Sequence, residues 1–316
     1  MEQGSVVSSA GTRGTQYPSQ EELGGTGQAP HRQELIDEGM TPRLRRWDDD
    51  ALRSYAMEMG FARLLQQKVP VTHALLGALA VLFIAGIFFS DLWVAPRFGA
   101  PEESVEAMVV VGAKLNAEIS AGAYWRLLTH TFLHGSWLHL FFNGYALLVL
   151  GSIVERLFGS RRFVIIYGGA ALAGAFSSYF FNDVASVGAS GAIFGVFGAA
   201  IVFGFKHRAS LPPRIGKALT TRLLPWLLLS LAFGLLPMID NAAHFGGLAM
   251  GSLLALGFGT PWKREPSPLV MRLQLVLAAL LVAATLASFA FGLRHARDCV
   301  SSADAWKRCQ SSLREP

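Results

Sequence analysis

Apolar runs close to the length of a membrane crossing recur along this chain, and they limit its fold more than any other feature. About 20 consecutive apolar residues in a helix cover the roughly 30 Å of a bilayer's hydrocarbon core. In lipid every backbone N–H and C=O must be paired, which helices do within a single segment. With 52% hydrophobic and only 16% charged residues, the sequence reads as an all-α polytopic membrane protein. Seven spans are expected, at about 71–90, 136–154, 163–181, 189–205, 223–238, 242–259 and 269–292. The fourth is short and rich in Gly and Ala. It belongs inside the bundle, where neighbouring helices rather than lipid meet it.

The loops give the orientation. Arg156, Arg161 and Arg162 separate spans two and three, and Lys206, His207, Arg208, Arg214, Lys217 and Arg222 separate four and five. Lys263, Arg264 and Arg272 separate six and seven. Basic loops stay on the cytoplasmic side, so the N-terminus is expected there and the tail after span seven outside. Cys299 and Cys309 would then sit in an oxidising compartment, either bridged or as two thiols. The net charge of +5 is accounted for by these loops. No basic stripe with interleaved aromatics suggests a nucleic-acid partner.

The region 1–69 is polar, and no signal peptide is visible in it. Residues 1 to about 30 are expected to be disordered. Asp48-Asp49-Asp50 precedes Leu52, Tyr55, Ala56, Met59 and Leu64, a pattern of an N-capped amphipathic helix over about 48–66. That helix would lie on the membrane near Arg53, Arg63 and Lys68, or act as a spacer. The chain thus divides into this cytoplasmic region, a six-helix core over about 70–260, and a linker, seventh helix and outward tail over 261–316.

Chemistry concentrates at the outward helix ends. Ser190 opens span four within Gly188-Ala189-Ser190-Gly191, and His244 opens span six within Ala243-His244-Phe245-Gly246-Gly247. Serine alone is common packing in membrane helices, whereas an ionisable side chain at membrane depth points to function. Amide hydrolysis by serine needs an activated hydroxyl, a base and donors aimed at the oxyanion. Ser190 and His244 supply the first two. His139 and Asn143, four apart on one face of span two, can supply donors alongside the Ser190 backbone N–H; helix–helix hydrogen bonding is the plainer reading of Asn143. Gly191, Gly195 and Gly198 thin span four, and Gly247 and Gly251 form a G-x-x-x-G on span six. Asp240 either orients His244 or caps span six. Phe194, one turn below Ser190, either packs on the His244 ring or is simply core.

These residues together resemble the rhomboid family of intramembrane serine proteases. Gly188-Ala189-Ser190-Gly191 is similar to its G-x-S-G, and Ala243-His244 through Gly247 and Gly251 to its A-H-x-x-G-x-x-x-G. His134, His139 and Asn143 match H-x4-H-x3-N, and Trp125-Arg126 with Thr129-His130 resembles the W-R and T-H elements of the first loop. Gly151 and Glu155-Arg156 before Gly159 fit the end of helix two.

The resemblance implies a rhomboid-like six-helix bundle plus one C-terminal transmembrane helix, without cofactor or metal. It implies Ser190 as nucleophile, His244 as base, and His139 and Asn143 as oxyanion partners. Trp125 and Arg126 would anchor a loop partly embedded in the outer leaflet, and His134 would be structural. Transmembrane protein substrates would be cut near their outward end, after entry gated by about 223–241. A bacterial cytoplasmic membrane is the expected location.

Other readings fit less well. His130, His134 and His139 cluster but lack the glutamate of an H-E-x-x-H metal site. Ala192 breaks the G-x-S-x-G of an α/β-hydrolase elbow. A transporter would show repeats and intramembrane charges that are missing here. A silent relative that binds membrane clients is the alternative, and such proteins typically lose the Ser or the His that this chain keeps.

Overall fold

The computed structural model describes residues 42–89, 104–235, 239–258 and 266–314, and the expected disordered stretch at the N-terminus lies outside them. Contacts divide the chain into Met1–Ala56 and Met57–Pro316, and the second unit holds the core and the site. Helix α1 spans Pro42–Leu65. It therefore starts before Asp48-Asp49-Asp50, and these acids lie within the helix instead of capping it. A helix beginning at Pro42 uses the ring's fixed φ, which suits a first turn.

The remaining helices are α2 (Pro70–Phe89), α3 (Ser104–Val111), α4 (Asn116–Ser120), α5 (Arg126–Thr129) and α6 (Trp137–Phe158). They are followed by α7 (Ser160–Phe181), α8 (Ser190–Lys206), α9 (Leu223–Phe233), α10 (Asn241–Gly257), α11 (Pro268–Cys299) and α12 (Ala303–Arg314), with one further short helical turn at Pro213–Lys217 before α9. Helix α6 carries a π turn at Leu147–Gly151, and another π turn at Ala218–Arg222 leads into α9. Among the described residues there is no strand, only an isolated antiparallel bridge between Lys114 and Ser186.

Among the described residues, four segments are long and apolar enough to cross a membrane: Tyr55–Phe89, Trp137–Phe158, Ser160–Phe181 and Pro268–Cys299. The expected spans four, five and six are shorter. Helices α8 and α10 have 17 residues each, about 25 Å at 1.5 Å per residue, which falls short of a full hydrocarbon crossing. Most of the α8 side chains from Gly191 to Gly204 are buried, whereas α10 keeps an exposed apolar face at Phe245, Leu253 and Leu256. The seventh span runs past its expected end near residue 292 as far as Cys299.

The surface reverses the soluble pattern. Val81 and Phe88 on α2, Phe141 and Tyr145 on α6, Trp226 on α9 and Leu273 and Leu286 on α11 point outward, while Asn143, Glu155 and His244 are buried. Glu155 closes the core at the end of α6. Its carboxylate accepts from the Val71 and Thr72 backbone N–H groups at 3.0 and 2.8 Å, and from the Thr72 and Ser160 hydroxyls, each at 2.7 Å. One acidic side chain thus satisfies the start of α2 and fixes the α6–α7 corner.

Helices α8 and α10 make the most extensive packing in the fold. A β-carbon at Gly247 would lie 1.9 Å from the Gly191 carbonyl oxygen, and one at Gly251 would lie 2.0 Å from that of Gly195. The backbones touch directly, as small-residue faces in membranes allow.

Candidate active site

The turn before α8 depends on Gly188, whose φ of +129° disfavours any side chain. A β-carbon there would also fall 2.7 Å from the His139 ring and 3.4 Å from Asn143 Nδ2. The turn is pinned by the Gly188 N–H donating to the His130 carbonyl at 2.9 Å. Two residues later Ser190 begins α8, its side chain half-buried.

Ser190 Oγ lies 2.8 Å from His244 Nε2. His244 Nδ1 is 3.2 Å from Asn241 Oδ1, and Asn241 Nδ2 donates to the Leu231 carbonyl at 3.5 Å. An amide oxygen only accepts, so the proton sits on Nδ1 and leaves Nε2 as acceptor for the serine hydroxyl. The imidazole stacks on Phe194, with centroids 4.1 Å apart and planes inclined by 15°. The ring is thus held on one face and at both nitrogens.

Asn241 is the residue that sequence reasoning missed. Asp240 does not contact the imidazole. Its Oδ1 accepts from the Ala243 N–H at 3.0 Å and caps α10, so of the two roles left open for Asp240 it has the cap. The signal for Asn241 was its spacing, since a side chain three residues before a helical histidine lies on the same face.

The α6 residues approach from the other side. Asn143 Nδ2 is 3.0 Å from His134 Nε2, and the His134 and His139 rings meet edge to face at 4.9 Å. Burial pushes His134 down to about 4, reinforced by His139 and opposed by a hydrogen bond to the Phe132 backbone. The neutral ring accepts from the Asn143 amide. His139 and Asn143 therefore flank Gly188, two residues before Ser190.

Trp125 and Arg126 sit farther out. Arg126 is fully buried and donates to the Val109 and Ala113 carbonyls, with Glu118 3.4 Å away. Its guanidinium lies 4.6 Å over the Trp125 ring, so this pair organises α3–α5 and does not reach Ser190. Cys299 and Cys309 are joined in a disulfide. With it, Trp306 and Ala296 pack on Val110.

Known proteins resemble the middle of this chain. A family profile described as Rhomboid domain matches residues 121–261. The chain is 40% identical over 159 residues to rhomboid protease GluP of Bacillus subtilis, covering 50% of this chain and 31% of that protein. It is 31% identical to the putative rhomboid protease YdcA of the same organism over 50% of this chain and 79% of that protein. Rhomboid protease AarA of Providencia stuartii is 31% identical over 58% of this chain and 72% of its own length. The chain spans 31% of GluP and 49% and 43% of two Arabidopsis thaliana relatives, RHOMBOID-like proteins 5 and 4. A helical bundle with apolar sides outward, a serine and a histidine meeting at its helix ends, and relatives matched over most of their length lead to one conclusion: the chain belongs to the rhomboid family and is an integral, multi-pass membrane protein.

Proposed function

We propose that this protein is an intramembrane serine endopeptidase that cleaves transmembrane segments of other proteins near their outward end. The observation that carries the reading is the 2.8 Å contact between Ser190 Oγ and His244 Nε2. Two helices locked backbone to backbone hold it in place. Ser190 Oγ attacks the scissile carbonyl while His244 Nε2 takes its proton, forming a tetrahedral intermediate. The Ser190 N–H at the start of α8, His139 and Asn143 donate to the oxyanion. His244 then protonates the leaving amine, and water, activated by the same imidazole, releases the acyl product.

The basic turns after α6, α8 and α10 support a cytoplasmic face opposite Ser190 and His244, which begin their helices on the other side. A disulfide in the tail fits an oxidising, extracytoplasmic compartment. We read the membrane as a bacterial cytoplasmic one, the core as about 70–260, and the region 1–69 as cytoplasmic. The test is cleavage of a panel of single-span reporter substrates by the full-length protein, with parallel labelling by a serine-reactive fluorophosphonate. Ser190→Ala is expected to abolish both while leaving expression intact. Cleavage that persists in that variant would end the reading.

A further inference from the structure

The loop that delivers Ser190 and the helix that delivers His244 are joined through a carboxylate that the chemistry itself does not use. Asp240 accepts from the Ala243 N–H at 3.0 Å and from the Ser178 hydroxyl on α7. The side chains of Asn182 and Ser186, in the segment leading to Ser190, are polar neighbours of that carboxylate. The His244 N–H donates to the Asp240 carbonyl at 3.2 Å. An ordinary helix cap needs one acceptor, which Ser, Thr or Asn provides. A half-buried carboxylate that joins the first turn of α10 to the end of α7, with two more polar side chains beside it, does more than cap.

The same segment is gripped from the outward loop by Lys114, whose side chain is fully buried. Its ammonium donates to the Asn182 carbonyl and, at 3.4 Å, to that of Val184. The Lys114 and Ser186 backbones exchange hydrogen bonds of 2.9 and 3.1 Å. Asn116 adds bonds to the Tyr179 carbonyl at 3.0 Å and to Asp183 at 2.8 Å. Burial pushes Lys114 down, and the negative charges of Asp240 and Asp183 oppose it. Burial pushes Asp240 up, and the polar groups of Ser178, Asn182, Ala243 and Ser186 around it outweigh that and hold it low. The lysine and the aspartate are thus opposite charges on the two sides of one short segment.

We propose that Asp240 is a positioning residue, tied through Ser178 to the end of α7 and so to the segment that Lys114 holds, that keeps His244 in register with Ser190. This rests on the Ser190–His244 reading above and adds how the two halves of the pair are aligned. Neither Asp240 nor Lys114 touches the reacting atoms. A shift of about 1 Å between the two segments would stretch the Ser190–His244 contact past hydrogen-bond range and costs on the order of 10²-fold in rate.

The test uses the full chain in proteoliposomes. It measures kcat and KM on a single-span substrate and the rate constant for fluorophosphonate inactivation, which reads the pair without substrate entry. Asp240→Ala is expected to lower kcat and the inactivation rate by about tenfold or more with KM nearly unchanged. Asp240→Asn keeps one acceptor for Ala243 and is expected to recover part of the loss. If Asp240→Ala does not fold, Asp240→Asn decides alone, with a loss of about threefold or more expected. Wild-type inactivation rates in the folded Asp240 variants, or a change confined to KM, would overturn the proposal. Lys114→Met is expected to lower kcat, and less than multiplicatively when combined with Asp240→Asn; independent effects would remove Lys114 from the link. Labelling that survives Ser190→Ala would instead sink the dyad, an outcome separable from Ser190-dependent labelling at full rate in the Asp240 variants.

Discussion

Gly247→Ala is the sharpest probe of how the helices create the site. The added methyl would stand 1.9 Å from the Gly191 carbonyl oxygen, where ordinary contact begins at 3.4 Å, so about 1.5 Å has to be found. The obstructing atoms are backbone: the Gly191 carbonyl carbon is 2.7 Å and its α-carbon 3.3 Å from the same point. No rotamer change relieves that, so α8 and α10 must part. Ser190 is next to Gly191, and His244 lies one turn before Gly247. The 2.8 Å contact would open beyond about 3.5 Å if most of the displacement reached it, and a bond that long no longer transfers a proton effectively. Overpacking of this kind typically costs about 1–3 kcal/mol in stability, and losing the base costs about 10² to 10⁴ in rate. The assay is fluorophosphonate inactivation of Ser190 beside thermal unfolding in detergent. The matched control is Gly77→Ala in α2, where a β-carbon would meet no atom within 4 Å, and which is expected to be neutral or slightly stabilising. Gly247→Ala with wild-type inactivation kinetics would refute the claim that helix contact distance sets the geometry of the pair.

Asn241→Ala removes the acceptor on His244 Nδ1 and is expected to cost about 0.5–1.5 kcal/mol in the barrier, or roughly three- to tenfold in kcat; unchanged kcat would discard Asn241 as the ring's anchor. Glu155→Ala strands the Val71 and Thr72 N–H groups and two hydroxyls, with an expected stability loss of about 3 kcal/mol or more, read as a fall in unfolding temperature. Glu155→Gln should recover part of it, and equal loss in both variants would contradict the hydrogen-bond account. Reducing the Cys299–Cys309 bridge is expected to weaken α12 locally by about 2–3 kcal/mol. Trypsin should then cut near Lys307 while Ser190 labelling persists, and unchanged resistance to trypsin would show that packing alone holds the hairpin.

Much of the bundle was legible because the lipid requirement is strict. Long apolar runs gave α2, α6, α7 and the start of α11 within a few residues, and the turn at Gly188 and the faces at Gly191 and Gly247 marked where backbones meet. Ser190 and His244 stood out as polar groups at helix starts in an apolar chain. What stayed hidden was relational. Asp240 and Asn241 are adjacent and both polar, and only the handedness of the first turn decides which faces the imidazole. Asp48-Asp49-Asp50 reads as a cap because acids favour helix starts, yet Pro42 begins the helix earlier. The length of α8 was legible too, since the short span expected at about 189–205 matches Ser190–Lys206. Lys114 gave no signal in the sequence because its partners are the main-chain carbonyls of Asn182 and Val184 in a distant segment.

The hairpin closed by Cys299 and Cys309 has a consequence for how the molecule matures. Trp125 leans on the His295 ring, 5.7 Å away, and on the Gly292 backbone, while Val110 is covered by Trp306. Residues synthesised after the core therefore complete the surroundings of the Trp125–Arg126 pair, well upstream in the chain. A version ending after Gly257 would keep Ser190, His244 and Asn241 but leave that tryptophan and valine without their cover. Final ordering of the loop around Trp125 would then wait for the last helices to arrive and for two thiols to be oxidised.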